Sequence, residues 1–252
     1  MLIKDQVSSE EWQTRVELSA CFRLLDFYEM SDLTGTHSSA RVPGEPEHFL
    51  INAHGDFFGE ITASSLIKVH LDGTIIDGRT NVGGDQINPA GYTIHSAILS
   101  GREDVNCVIH THTRAGVAVS SMKCGLLPIS QHSMQFFERT SYHHYEGTAV
   151  NLDERQRLQR DLGEENEVMI LTNHGLLAAG NNISAAFQLH FRLETCCRIQ
   201  VDAMAGGDLH MIDEDVCRST SRFMKDRGNY IADRSWPGHL RRLDRLDPSY
   251  RD

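Results

Sequence analysis

The run Val105-Asn106-Cys107-Val108-Ile109 leads directly into His110-Thr111-His112, and a second apolar run, Val168-Met169-Ile170-Leu171, ends in Thr172-Asn173-His174-Gly175. If both runs are strands, the alternation of side chains across a sheet puts His110 and His112 on one face. His174 can then join them from a neighbouring strand end. Two imidazoles on an apolar strand are costly to bury without partners, whereas three that converge form a facial metal site with room for water or substrate. Neutral imidazoles suit a divalent transition metal, zinc first, with iron, nickel or manganese as alternatives, better than magnesium. Spacing alone also allows ordinary strand-end histidines held by local hydrogen bonds.

The chain of 252 residues can build a sizeable core as one domain, or as one domain with an appended tail. Its 35 acidic and 24 basic side chains, a net charge of -11, argue against a nonspecific nucleic-acid surface. The first residues hold no apolar stretch long enough for a signal peptide, and no later segment has the length of a membrane span, so the expected location is cytoplasmic. Six cysteines without a close CxxC pair read as reduced core thiols. No glycine-rich dinucleotide or P-loop pattern supports nucleotide binding.

Residues 9 to about 30 carry an apolar stripe of Trp12, Val16, Cys21, Leu24, Leu25 and Tyr28 at helical spacing. Residues 34–42 read as polar turns, 48–51 and 65–69 as strands, and 71–76 as a hairpin turn with a returning strand. Asn88-Pro89 begins a helix that Gly101 stops. A short helix is expected near 114–121 and a long one over 184–204. This order predicts an α/β layered fold, not a regular βαβ array. The domain occupies residues 1–210, and residues 211–252, with Trp236, Leu240, Leu243 and Leu246, form an arm that packs on its own domain or on a neighbouring subunit.

Several segments in the same order resemble the class II aldolase/adducin family, in its adducin-like branch, over residues 11–207: Glu60-Ile61-Thr62-Ala63-Ser64-Ser65-Leu66, residues 107–120, Ser121-Met122-Lys123-Cys124-Gly125-Leu126-Leu127-Pro128-Ile129-Ser130-Gln131, and Asn173-His174-Gly175-Leu176. The resemblance implies an αβα fold with a mainly antiparallel central sheet, a homotetramer, and sites near subunit boundaries. In the family's sugar-phosphate aldolases three histidines bind zinc, and His110, His112 and His174 match them. The glutamate those aldolases use, four residues before a helical histidine matched by His95, falls on Gly91. Their phosphate-clasping serines become Pro89-Ala90, and a threonine-glycine pair becomes His54-Gly55. The resemblance therefore implies the metal but not a phosphorylated substrate. The family also includes decarboxylases of hydroxylated aromatic acids and iron-dependent oxygenases.

With the acid position lost, proton transfer is expected from the histidine-rich connection between the metal-bearing runs: His132 or His143, with Tyr142 as the weaker option. A polar loop or subunit seam is the other reading of that segment. By the resemblance, His37 and His54 fall at substrate-side positions. Arg41 and Arg114 are candidate anion contacts. Glu60 reads as a solvent-exposed turn, and His190, Cys196 and Cys197 as core. The expected activity is metal-dependent cleavage of a carbon–carbon bond, by aldol cleavage or decarboxylation, in a small hydroxylated carbonyl or carboxylate substrate. The alternatives are an iron-dependent oxygenase and a non-catalytic adducin-like interaction protein.

Overall fold

A computed structural model describes residues 3–77 and 87–252 of the chain. Ser8 starts helix α1 (Ser9–Phe27) by accepting the Glu11 N–H on its hydroxyl, with Glu10 and Glu11 in the positive first turn. The helix stops short of the expected residue 30 because Glu29 takes a left-handed φ of 58°. Eight strands follow among the described residues: β1 (His37–Val42), β2 (Glu45–Ile51), β3 (Ile67–His70), β4 (Ile75–Asp77), β5 (Cys107–Thr111), β6 (Thr140–His143), β7 (Val168–Leu171) and β8 (Gly175–Gly180). They lie side by side in the order β4-β3-β2-β1-β5-β8-β7-β6. Every pairing is antiparallel except β6 with β7.

Two of these strands depart from the expectation. Residues 34–42 are not turns: β1 is an inner, buried strand that pairs His37 with His110 across the β1–β5 ladder. His-Ser-Ser-Ala-Arg has no apolar alternation, and the strand is held in part by Ser39 and Arg41, whose side chains find partners inside the fold, while the Ser38 hydroxyl is buried with none among the described residues. Ser39 binds His95, and Arg41 binds backbone carbonyls. The other departure is β8, which lies between β7 and β5, so His174 comes from the turn joining β7 and β8. Asn173 takes a left-handed φ of 58° in that turn, and its N–H binds the Ser120 carbonyl.

Helices cover both faces of the sheet. On one side lie α2 (Pro89–Gly101), capped by Asn88, and α4 (Glu154–Leu162); Ile94, Ile98 and Leu158 pack there on Val108, Met169 and Leu177. On the other lie α1, α3 (Arg114–Ser120) and α5 (Ile183–Ala205), which packs Phe187 on the cluster containing Ile109 and Leu25. Asn182 caps α5 at the Ala185 N–H, 2.8 Å away. The result is an α/β fold with a mixed, mostly antiparallel central sheet between helical layers.

The last helices are α6 (Glu214–Asp226) and α7 (Tyr230–Leu246). Trp236, Leu243 and Tyr250 join the core cluster of α1 and α5, and Ser19 Oγ donates to the Tyr250 carbonyl at 2.6 Å. Trp236, Leu240, Leu243 and Tyr250 thus cover this chain's own core, and of the four expected contact residues Leu246 is the one left exposed.

Arg15 lies at the centre of a buried ionic network. Its guanidinium donates to Glu11 and the Leu66 carbonyl, both at 2.9 Å, and to Asp77 at 2.6 Å, while Lys68 binds Glu11 at 2.9 Å and Glu45 at 2.8 Å. The network ties α1 to β2, β3 and β4, at the end of the sheet farthest from β6.

Candidate metal centre

His110, the penultimate residue of β5, is fully buried, and its Nδ1 lies 2.9 Å from the Leu176 carbonyl of β8. A carbonyl can only accept, so Nδ1 carries the proton and Nε2 presents a lone pair. His112 is oriented in the same way by a carboxylate: Asp32 Oδ2, in the loop between α1 and β1, is 3.1 Å from its Nδ1. His112 Nε2 then sits 2.9 Å from the Nε2 atoms of both His110 and His174.

Lone pairs that face each other at this distance repel unless a cation lies among them. The nitrogen atoms of all three rings are within 4.8 Å of one another. A tetrahedral zinc site, with Zn–N of about 2.0–2.1 Å, separates its nitrogens by roughly 3.3 Å, so an ion fits after the rings open by a few tenths of an ångström. Burial, then the neighbouring His174, His37 and His112, pushes His110 well below the usual imidazole range. Burial first, then His112 and His143, lowers His174 to about 4. His110 and His174 are therefore neutral donors, the form a metal ion binds, and the cluster can hold a divalent metal.

The corner that carries the site is pinned from behind. Thr111 Oγ1 and His190 Nε2 share a hydrogen bond of 2.7 Å, and Thr113, which caps α3, donates to the buried Glu194, itself held by Arg198 at 2.7 Å. His190 is thus a buried support, in keeping with its reading as core.

Two of the three expected proton carriers lie elsewhere, and the third is tied up. His132 lines a cavity of about 540 Å³ with Arg102, Gln135, Arg139, Arg192 and Arg227, and none of the three clustered imidazoles lines it. His143 is buried on β6 with Nδ1 2.7 Å from Asp161 and Nε2 3.3 Å from Glu154, so both nitrogens are engaged. Tyr142 points to the opposite face of β6, where its hydroxyl accepts the Leu126 N–H at 2.9 Å. The structure does not bring His132 or Tyr142 to the cluster, whereas His143 lies close enough to lower the pKa of His174 but keeps both ring nitrogens on carboxylates. Arg41 is not available as an anion fork either: its guanidinium is occupied by the carbonyls of Pro46, Leu99, Arg102 and Val105.

Other candidates stay near the cluster. The His37 ring lies beside His110, with centroids 5.1 Å apart, and its Nδ1 is 2.8 Å from His95 Nε2. His54 is close enough for its charge to depress the pKa of His37. Arg114, exposed at the start of α3, has no ion-pair partner among the described residues. Glu60 is exposed, and its carboxylate accepts the Phe57 N–H in a short turn, as read.

Two neighbours were not singled out from the sequence. Asp32 stands far from the histidines in the chain and belongs to no recognisable motif. Tyr145, with its exposed ring 6.2 Å from His174, lies in the same histidine-rich run as His143, but two residues beyond the strand whose alternation could have selected it.

Comparison with known proteins places this architecture. The family model for the Class II Aldolase and Adducin N-terminal domain matches residues 16–201. A crystal structure of an aldolase II superfamily protein from Pseudomonas syringae is 49% identical, with a TM-score of 0.93 and 99% coverage of both chains. An L-fuculose 1-phosphate aldolase from Glaciozyma antarctica is 28% identical at a TM-score of 0.83, covering 97% of this chain and 94% of its own. Alpha-adducin of Rattus norvegicus is 45% identical across 82% of this chain, which corresponds to 28% of the adducin.

Proposed function

Because the chain belongs to the class II aldolase/adducin family, we propose that it is a metal-dependent lyase that cleaves a carbon–carbon bond, by aldol cleavage or decarboxylation, in a small hydroxylated carbonyl or carboxylate substrate. The observation that carries this reading is the convergence of three Nε2 atoms, with His110 and His112 fixed in the required tautomer by Leu176 and Asp32. Such orientation by outer partners is how proteins prepare imidazole ligands for a metal. We take zinc as the metal, with iron or manganese as the alternatives.

A metal held there supplies a sink for the electrons released as the bond breaks. The chain's own groups do the rest. The buried floor of His110 and His37 excludes water from one side of the site. On the solvent side Tyr145 stands beside His174, and the exposed Arg114 begins α3 two residues after His112, so that a phenol and a guanidinium are on hand to orient a substrate carboxylate or hydroxyl. Gly91 has no side chain to move a proton, and Pro89 and Ala90 offer no hydroxyl to a phosphate, which supports an unphosphorylated substrate handled differently from the sugar phosphates.

The test uses protein purified without an affinity tag. Metal analysis is expected to find close to one transition metal per chain, and a screen of hydroxylated keto acids, aromatic hydroxy acids and aldols should reveal a cleavage that a chelator stops and zinc restores. Metal-free protein, or cleavage indifferent to the chelator, would overturn the reading; stoichiometric dioxygen consumption would replace it with an oxygenase.

We further propose a cytosolic homotetramer, with residues 211–252 as an arm on the main domain. All six cysteines are free thiols, and five of them are buried, which suits a reducing compartment. Phe223, Tyr230 and Ile231 stand exposed on α6 and α7, apolar groups of the kind that closed symmetry buries. Light scattering at micromolar concentration should give about four times the 28.3 kDa chain mass; a monomer at every concentration would exclude it.

A further inference from the structure

Gly91 lies in the first turn of α2 with the His37 ring against it. A methyl group added there would come within 2.7 Å of His37 Cδ2 and 2.9 Å of Cγ, closer than real Cβ contacts. The ring cannot step aside. It is 2% exposed, its Nδ1 is held 2.8 Å from His95 Nε2, and it stands beside His110 on the paired strand. Glycine at 91 and histidine at 37 are therefore one steric unit: the imidazole occupies the volume a side chain on α2 would fill.

The protons of this unit can be placed. Ser39 is fully buried, and His95 Nδ1 is the one hydrogen-bond partner of its hydroxyl among the described residues. If the hydroxyl accepted from His95, its own hydrogen would be buried with no acceptor, a costly state. The hydroxyl therefore donates to His95 Nδ1, His95 Nε2–H donates to His37 Nδ1, and His37 carries its hydrogen on Nε2. Both rings are fully enclosed, and burial holds His95 near 3 and His37 well below the usual range, so each stays neutral. His37 Nε2–H has no partner among the described residues, although the ring borders His110 and feels His112 and His174.

We infer that His37 is the hydrogen-bond donor for the charge-bearing oxygen of the substrate, and that Ser39, His95 and Gly91 are positioning residues that fix its tautomer and its place. The inference rests on the metal-dependent lyase reading and identifies the bound class as small ligands with an anionic oxygen of enolate or hydroxamate type, whose charge a fixed neutral N–H stabilises in a water-poor site. His37 then serves as a permanent donor that needs no change of charge, in a place where a side chain on α2 would otherwise stand.

The test loads the protein with cobalt and follows acetohydroxamate binding through the cobalt visible spectrum, with metal content measured for each variant. At full cobalt occupancy, His37→Ala should weaken binding about ten- to a hundredfold, the range for one hydrogen bond to a charged group. His37→Gln, which retains an N–H donor, should recover part of the loss. Gly91→Ala should match the His37→Ala loss through displacement of the ring, and adding it to His37→Ala should cost nothing more, since the two act as one unit. Unchanged affinity in His37→Ala, or additive losses in the double variant, overturns the inference alone. A wild-type protein that binds no cobalt overturns the metal-dependent reading and this inference with it.

Discussion

Replacing His110 with alanine is expected to lower metal affinity by about 10²–10³-fold. Apparent binding free energies of about 10–16 kcal/mol for four-ligand structural zinc sites divide to roughly 2.5–4 kcal/mol per ligand. His110 is also the ligand with least freedom to be replaced by water, since it is fully buried near the end of an inner strand. Asp32→Asn should show a graded version of the same effect, about 10–100-fold, because the outer partner sets the His112 tautomer without touching the ion. Competition against a chromogenic chelator measures both. Equal metal retention by wild type and His110→Ala would remove the three-histidine site from consideration, and a wild-type affinity in Asp32→Asn would show that water orients His112 equally well.

The largest stability loss is expected at Arg15, far from the site. Arg15→Met keeps much of the side chain's length but leaves the carboxylates of Glu11, 2% exposed, and Asp77 with fewer partners. Breaking a buried ionic network by removing one member costs about 3–5 kcal/mol. Lys68 still reaches Glu11, which favours the lower end. For a chain of this size a kilocalorie shifts the midpoint by about 2–4 °C, so Tm should fall by roughly 6–20 °C. The exposed pair Arg251 and Asp244 provides the contrast, since surface ion pairs contribute at most about 1 kcal/mol. A calorimetric scan in which both variants behave alike would show that the Arg15 network is no more than a surface-like contact.

The triad was legible in the sequence because two physical regularities coincided: apolar runs mark buried strands, and a period of two assigns side chains to faces. Helix α2 was legible for a similar reason; Asn88-Pro89 carries its start signal within two residues. β1 was not. Its His-Ser-Ser-Ala-Arg sequence looks like a turn until His95, Leu99 and Val105 supply its partners, all more than fifty positions away. Asp32 was hidden by the same distance. His132 and Tyr142 were drawn toward the metal by their place in the chain, yet the intervening segment carries them to other cavities, and His143 is held by two carboxylates that the sequence does not reveal as neighbours. Polar side chains inside a fold are specified by their partners, and partners are set by topology more than by local pattern.

The pairing of His37 with His110 across two inner strands divides the centre mechanically. One wall belongs to the middle of the sheet and can separate only when β1 and β5 part, an event close to global unfolding. The other wall, His174 in a strand-connecting turn and Asp32 in a loop, belongs to no ladder, although the backbone of the turn is tied to Ser120 and Leu171. An ion or product would therefore leave past the turn while the floor beneath it stays in place, so the site can reload without being rebuilt.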